Sequence, residues 1–280
     1  MMEICLLFIF ERIMKIVKII ILSIFLFPVY ASAKVSALTP EECQKMAFSG
    51  VVTENNPVPC NRLNIVNFNY IDFSGNESTG EVIVLDVFAL QVENIFHELL
   101  LAGFPIHKAL AIEHYNGDDK DSMRDNNTSA FNGRKITGAA SWSKHAYGAA
   151  IDINPLQNPF LGFNPDGVPY VLPENSAEQY LNRIAKRPGK KAREGMSEKV
   201  VDIFLSNGFM RWGGYWDTPI DYQHFEVGSI EFIESLLKKP LSKARMEFKE
   251  YGDNYQSCMK NAQPNNIEST RAVCVEKNIR

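Results

Sequence analysis

The sequence predicts an α+β fold in which helices pack on a small antiparallel sheet. Residues 63–73 (LNIVNFNYIDF) alternate apolar and polar side chains, as a half-buried strand does. A turn cluster, SGNESTG, separates them from a second strand-like run at 81–87, so the two runs are predicted to form a hairpin. Residues 88–102 have helical spacing and end before Gly103. Strand pairs and helices mixed in this way are typical of α+β proteins.

Residues 1–33 have the organisation of a secretory signal peptide. A basic region begins at Met14, an apolar run covers 19–30, and the small residues at 31–33 (ASA) match a cleavage site. The apolar run is short for a membrane span and Pro28 interrupts it, so a retained N-terminal anchor is only the alternative. We therefore expect a periplasmic or secreted protein that has no integral membrane domain after cleavage.

Charge and cysteine content restrict the class of partner. The 280-residue chain has a formal net charge of −4, which argues against nucleic acid as its main partner. Four cysteines follow residue 33 in two local pairs, Cys43 with Cys60 and Cys258 with Cys274. An even number in an exported chain predicts a disulfide within each pair. Unrelated buried thiols and a four-cysteine structural zinc site are the alternatives, although no C-x-x-C spacing supports the zinc site.

The remaining elements follow from the same patterns. Residues 110–116 (LAIEHYN) are a candidate strand, and the polar segment 117–144 is a loop of a length that is usually functional or disordered. Further short strands are predicted at 149–153 and 222–227. Helices are predicted at 197–207, at 230–239 and from 243 to about 261.

Five histidines are candidates for a metal site. His97 is followed by Glu98, but Leu101 stands where the zincin motif H-E-x-x-H needs its second histidine. His107 and His114 lie in apolar surroundings without a polar companion at ligand spacing. We interpret these three histidines as structural or surface residues.

Those two histidines lie in short stretches that also carry an aspartate. His145 precedes Asp152 by seven positions, and Gly148 between them permits a tight turn that returns the histidine to the aspartate. This pattern alone is weak, because any polar turn beside a strand looks the same. In the second stretch Asp221 precedes His224 by three positions, so on one strand their side chains would point to opposite faces. Asp221 is therefore expected in the loop that leads into the strand.

The two stretches together resemble the D-alanyl-D-alanine carboxypeptidase-like zinc peptidases. This family includes vancomycin-resistance dipeptidases and carboxypeptidases, and phage and bacterial L-Ala-D-Glu endopeptidases. The first half of the motif, S-x-H-x-x-G-x-A-x-D, is represented by Ser143, His145, Gly148, Ala150 and Asp152. The second half, D-x-x-H-F, is represented by Asp221, His224 and Phe225. The similarity continues through NNTSAFNGR (126–134), INPLQNPF (153–160) and WGGYW (212–216).

The resemblance covers roughly residues 63–240 and implies a domain organisation. A zinc peptidase catalytic domain at 63–240 would follow an N-terminal cysteine-containing segment at 34–62 and precede a C-terminal cysteine-containing tail at 241–280. The implied fold is the one shared by Hedgehog signalling domains and D-Ala-D-Ala peptidases.

The resemblance also implies the chemistry of the site. His145, Asp152 and His224 would hold Zn²⁺, which lowers the pKa of bound water and polarises a carbonyl. Asp221 would be the general acid and base that moves the proton from water to the leaving amine. Arg134 would contact substrate and the developing oxyanion, since a guanidinium suits both.

Other residues near the motifs are assigned to substrate contacts or to the core. Without the resemblance, Arg134 would be interpreted as a surface arginine in a mobile loop. Gly133 beside it departs from the bulkier residue or cysteine expected in relatives. The predicted substrate contacts are Arg134, Ser143, Tyr147 and Trp212. The aromatic residues near the motifs are suited either to groove walls or to the core, and one or two are expected in the groove.

Two functions of different classes follow. The first is an exported zinc peptidase that hydrolyses peptidoglycan stem peptides, either at the terminal D-Ala-D-Ala bond or at the L-Ala-D-Glu bond. The second is a non-catalytic cell-wall or protein-binding module on the same fold, as in Hedgehog domains. Presence of all three ligands and Asp221 favours the enzyme.

Overall fold

A computed structural model of the protein describes residues 34–262 and 266–280. The helices, labelled in chain order, are α1 (Pro40–Phe48), α2 (Ala89–Leu101), α3 (Asp119–Arg124), α4 (Ala177–Tyr180), α5 (Val201–Ser206), α6 (Ile230–Leu237), α7 (Leu241–Asn261) and α8 (Ile267–Asn278). The strands are β1 (Lys34–Ala37), β2 (Leu63–Ile71), β3 (Glu77–Leu85), β4 (Lys108–Ala109), β5 (Asn127–Thr128), β6 (Ala150–Asp152), β7 (Phe160–Phe163), β8 (Pro169–Leu172), β9 (Arg211–Trp212), β10 (Ile220–Asp221) and β11 (His224–Glu226). The predicted signal peptide at 1–33 lies outside the described residues.

The predicted α+β class is confirmed. Strands β2 and β3 form the expected antiparallel hairpin, with Leu63 opposite Leu85 and Ile71 opposite Glu77. Strand β1 pairs antiparallel with the other side of β2, which completes a three-stranded sheet. Helix α2 covers this sheet, and its Phe96 ring stacks on Phe68 with 3.6 Å between ring centroids. The apolar face predicted from helical spacing is thus the face that forms the core.

The predicted strand at 110–116 is wrong, because a 3₁₀ helix occupies Ile112–Tyr115. The preceding strand β4 ends at Ala109, and the Asn127 side chain forms hydrogen bonds with the backbone of the next residue, Leu110. Its Oδ1 accepts from the Leu110 amide and its Nδ2 donates to the Leu110 carbonyl oxygen. The strand has no further partner there, and the left-handed Asn116 (φ 51°) ends the helical turn.

Two small antiparallel sheets carry the two motif stretches of the sequence. In the sheet with strand order β6-β11-β9, Asp152 lies opposite His224 and Phe225 lies opposite Ile151. In the order β10-β7-β8, Asp221 lies opposite Phe160. The strands predicted at 149–153 and 222–227 therefore exist in a shorter form. The strand residues of the two motifs, Ala150–Asp152, Asp221 and His224–Phe225, lie on these small sheets and not on the larger sheet β1-β2-β3.

The two segments that flank the predicted catalytic domain pack into the same hydrophobic core as the rest. Met46 of the N-terminal segment and Tyr251 of the C-terminal tail are both buried in it. The structure contains the predicted disulfides Cys43–Cys60 and Cys258–Cys274. Across 34–262 and 266–280, no helix combines the length and the apolar character that a membrane crossing requires. The domain boundaries predicted from the sequence stay predictions.

Breaking the C-terminal disulfide should destabilise the protein measurably. The bond joins α7 to α8 across a sequence separation of 16 residues, so its loss frees a loop of that length in the unfolded chain. We expect the double variant Cys258→Ser, Cys274→Ser to unfold with a free energy about 3 kcal/mol lower than the wild type. Urea titration of both proteins measures this difference. Equal midpoints and slopes would contradict it.

Candidate metal centre

Three buried side chains from two segments converge on one point. Strands β6 and β11 place Asp152 opposite His224, and the 3₁₀ turn Lys144–Tyr147 brings His145 beside them. Gly148 ends this turn in a left-handed conformation (φ 61°), and a Cβ there would lie 2.4 Å from the Leu85 nitrogen of β3. Only glycine fits so close to the main sheet. The tight turn predicted from the sequence is therefore confirmed.

The packing of β11 determines where its side chains point. Phe225 is fully buried and stacks on Phe204 of α5, with 3.9 Å between ring centroids. Because neighbours on a strand point to opposite faces, His224 and Glu226 lie on the side away from that stack. The core contact of one residue thus orients the polar residues on either side of it.

The candidate donor atoms lie close to the spacing that one zinc ion requires. His145 Nε2 lies 3.1 Å from His224 Nδ1 and 3.3 Å from Asp152 Oδ2, and His224 Nδ1 lies 2.9 Å from Asp152 Oδ1. Tetrahedral Zn²⁺ with bonds near 2.0–2.2 Å separates its ligand atoms by about 3.3–3.6 Å, so the three side chains need to move apart only slightly to hold the ion. Within residues 34–262 and 266–280, His145, Asp152 and His224 form a group whose candidate ligand atoms all lie within 4.8 Å of one another.

The electrostatics of the cluster favour a cation. Burial alone would raise the pKa of Asp152, but the His145 and His224 rings hold it well below its ordinary value. Burial alone would lower the pKa of His224, whereas the carboxylates of Asp152 and Glu226 raise it well above its ordinary value. A proton on His224 thus supplies positive charge between two buried carboxylates. A metal ion would supply the same charge, so donor type, spacing and charge all fit zinc.

Each histidine ring has a second partner on its other nitrogen. His145 Nδ1 donates to the Ala130 carbonyl oxygen, which leaves Nε2 free to bind a metal. His224 Nε2 lies 3.0 Å from Glu226 Oε2, and Lys144 Nζ donates to Glu226 Oε1 at 2.7 Å. Sequence reasoning missed Lys144 and Glu226 as functional residues. The period of two on a strand that carries His224 was the one signal that pointed to Glu226.

Asp221 reaches the cluster by a route different from the one predicted. It ends strand β10 in a separate sheet, whereas the sequence suggested a loop position. The chain turns at Tyr222 and Gln223 before β11 begins at His224, so two short strands present both side chains to one site. Because Asp221 and His224 do not share a strand, the alternation of side chains along one strand does not apply to them, and both can face the same site.

The Asp221 carboxyl group is buried, and one of its oxygens lacks a hydrogen-bond partner among the residues described. The residue is 8% exposed, and this oxygen is Oδ1. Burial, and then the nearby negative charge of Asp152, raise its pKa to about 7. A carboxyl with that pKa gains and loses a proton close to neutral pH, which is what a general acid and base requires.

Arg134 lies beside the His145 turn but is held by another residue. Its Nη2 donates to Asp119 Oδ2 of α3 at 2.5 Å, and the Ser143 amide donates to its carbonyl oxygen. A Cβ on the neighbouring Gly133 would lie 2.0 Å from the Val51 carbonyl oxygen. The N-terminal segment therefore packs against Gly133 and leaves no room for the larger side chain expected from the resemblance. The role of Arg134 towards substrate stays a prediction.

The other predicted substrate contacts are built into the fold. Ser143 caps the 3₁₀ turn by accepting from the His145 amide, and Tyr147 is 5% exposed. Trp212 is 6% exposed, and its indole nitrogen donates to the Tyr222 carbonyl oxygen. The aromatic ring beside the cluster is that of Trp216, whose centroid lies 5.4 Å from that of His224. Contacts of Ser143, Tyr147 and Trp212 with substrate stay predictions.

Comparison with known proteins gives one match. Residues 137–227 match a family model described as D-alanyl-D-alanine carboxypeptidase, and this range contains His145, Asp152, Asp221 and His224. No curated protein and no solved structure matches the chain. The match covers the segment that builds the candidate metal centre, and it confirms the resemblance found in the sequence.

Proposed function

We propose that the protein is a zinc-dependent peptidase that hydrolyses peptidoglycan stem peptides, because residues 137–227 match the D-alanyl-D-alanine carboxypeptidase family model. The observation that carries this proposal is the buried, incompletely bonded Asp221 carboxyl beside three side chains with metal-ligand spacing. A binding module needs no proton-exchanging group there. We assign the chain the fold of the D-Ala-D-Ala peptidases and Hedgehog domains on the same grounds.

The proposed zinc ligands are His145 Nε2, His224 Nδ1 and the Asp152 carboxylate. A bound Zn²⁺ supplies a Lewis acid that polarises the scissile carbonyl and brings the pKa of water towards neutrality. The neutral rings and the single carboxylate leave the site net positive, which suits stabilisation of an oxyanion. Three protein ligands are also the number typical of catalytic rather than structural zinc sites.

The protein's own residues would move the proton and hold the substrate. Asp221 accepts a proton from the attacking water and delivers it to the amine that leaves, in keeping with its pKa of about 7. Arg134 stands on the loop that pairs with the His145 turn, where a guanidinium would bind an oxyanion or a substrate carboxylate. Trp216 supplies an aromatic wall next to His224.

Digestion of purified peptidoglycan tests the proposal. The products are resolved by mass after incubation with the protein, with the protein and a chelator, and with zinc returned to the chelated sample. Release of one alanine from the peptide end identifies a D,D-carboxypeptidase, and cleavage next to the glycan identifies an L-Ala-D-Glu endopeptidase. Cell-wall binding without any zinc-dependent product would instead identify a non-catalytic binding module.

We further propose that the protein acts in the periplasm or outside the cell. The signal-like residues 1–33 and the disulfides Cys43–Cys60 and Cys258–Cys274 support this location. Disulfides persist in oxidising compartments, and peptidoglycan is found there as well.

Replacing Gly213 with alanine should reduce catalysis by moving Asp221. A Cβ on Gly213 would lie 2.8 Å from Asp221 Cβ and 2.4 Å from the Asp221 carbonyl oxygen, so the carboxylate must shift. A displacement of this kind is expected to lower turnover by about 10²-fold without loss of zinc. Steady-state kinetics and metal analysis of Gly213→Ala measure both quantities.

Gly214→Ala is the matched control for that variant. Its Cβ would meet the Trp212 ring at 2.3 Å, so it strains the same turn without contacting Asp221. Similar losses in both variants would show that strain in the turn or displacement of Trp212, and not the position of Asp221, explains the effect.

A further inference from the structure

Lys144 and Glu226 form a buried ion pair next to the proposed metal centre. Their side chains are 12% and 10% exposed, and Lys144 Nζ donates to Glu226 Oε1 at 2.7 Å. Lys144 Nζ also donates to the carbonyl oxygens of Val227 and Gly228. An ammonium group has three hydrogens, and these three acceptors use all of them. The amine is therefore fixed in one orientation.

The second oxygen of Glu226 binds a ring that carries a proposed ligand atom. Glu226 Oε2 lies 3.0 Å from His224 Nε2, while the opposite ring nitrogen, Nδ1, faces Asp152 Oδ1 at 2.9 Å. A carboxylate accepts hydrogen bonds and cannot donate them. With Lys144 on one oxygen, the other is left to accept the Nε2 proton of His224.

The pair also joins the two segments that supply the ligands. Lys144 directly precedes His145 on the 3₁₀ turn, and Glu226 follows His224 by two residues on β11. Burying two charges brings little net stability, because their desolvation offsets their attraction. Stability alone therefore does not explain an ion pair at this position.

We propose that Lys144 and Glu226 are positioning residues that fix His224 as the Nε2–H tautomer and so present its Nδ1 lone pair to the metal. This inference rests on the proposed zinc centre. A carboxylate on the outer nitrogen of a ligand histidine sets the ring orientation and raises its basicity. Without Glu226 the ring is free to rotate or to carry its proton on Nδ1, where the proton blocks binding. Lys144 acts one step further out, because it holds the carboxylate in place.

Zinc affinity of the full chain tests the proposal through a readout other than activity. Competition with a chromophoric chelator gives the dissociation constant for wild type, Glu226→Gln and Lys144→Met. Each variant is expected to bind zinc 10–100-fold more weakly, the usual effect of losing such an outer partner. The control is Lys239→Met, which removes the lysine of a partly buried ion pair with Glu247, neither of which belongs to the metal-ligand cluster. Its zinc affinity should equal that of the wild type.

Nitrogen-15 NMR of zinc-loaded wild type tests the tautomer directly and needs no variant. We expect a proton on His224 Nε2 and the metal on Nδ1. A metal-bound Nε2, or unchanged zinc affinity in a folded Glu226→Gln variant, would overturn the inference. Failure of the wild type itself to bind zinc is a different result, because it would refute the proposed metal centre and not only the role of this pair.

Discussion

His224→Ala is expected to lose zinc and peptidase activity together. The substitution removes one of three proposed ligands and leaves Asp152 and His145, which alone cannot complete the site. It also removes the partner of the buried Glu226 carboxylate. Metal analysis after dialysis should find less than stoichiometric zinc, and muropeptide turnover should fall to background. His145→Ala should behave in the same way, because its Nε2 is a ligand atom of the same cluster.

His97→Ala is the matched control for these variants. His97 is exposed on α2 and lies outside the cluster, so its loss should change neither zinc content nor turnover. The ligand assignment is wrong if His145→Ala or His224→Ala keeps full zinc occupancy. Loss of zinc in the control as well would point to a folding defect of histidine variants in general.

The parts of the fold that the sequence predicted well are those with strong local periodicity. The β2–β3 hairpin and helix α2 carry the alternating and helical patterns that burial imposes. The strand predicted at 110–116 failed because a distant side chain, Asn127, bonds the backbone of Leu110. A contact across that sequence distance leaves no periodic signal, so local reasoning has no means to find it.

The candidate site, like the fold, could be predicted from the sequence only in part. His145, Asp152 and His224 are the ligands that the resemblance to the zinc peptidases implies, and the structure brings the three side chains together. The turn that places Asp221 on a second sheet depends on how β10 pairs with β7, which spacing does not encode. The involvement of Lys144 depends on an ion pair that spans the two ligand segments. The proposed ligands could therefore be named from the sequence, whereas the proposed positioning pair Lys144–Glu226 could be found only in the structure.

Asp221→Asn should separate proton transfer from metal binding. Asparagine has nearly the same size but cannot accept a proton at neutral pH. We expect turnover to fall by about 10²–10⁴-fold, the usual contribution of a general acid and base, while zinc stays bound by the three ligands. Substrate affinity should change far less. Metal analysis and muropeptide kinetics on the variant give both answers.

The pH profile adds a signed test of the same role. Burial and the charge of Asp152 raise the pKa of Asp221 to about 7, and a bound cation would lower it from there. The basic form accumulates as pH rises, so the wild-type rate should increase with pH up to neutrality. That increase should be absent in Asp221→Asn, because asparagine does not titrate.

Asp217→Asn provides the control on the same segment. Asp217 is exposed four residues before Asp221, so the same change of functional group there should leave rate and zinc content unaltered. If Asp221 only caps the turn into β11, asparagine caps it equally well and Asp221→Asn should be nearly silent. Near-normal turnover would discard the acid and base role. Loss of zinc from Asp221→Asn would make Asp221 a ligand or a folding residue, because a proton carrier outside the coordination shell leaves the metal in place when it is neutralised.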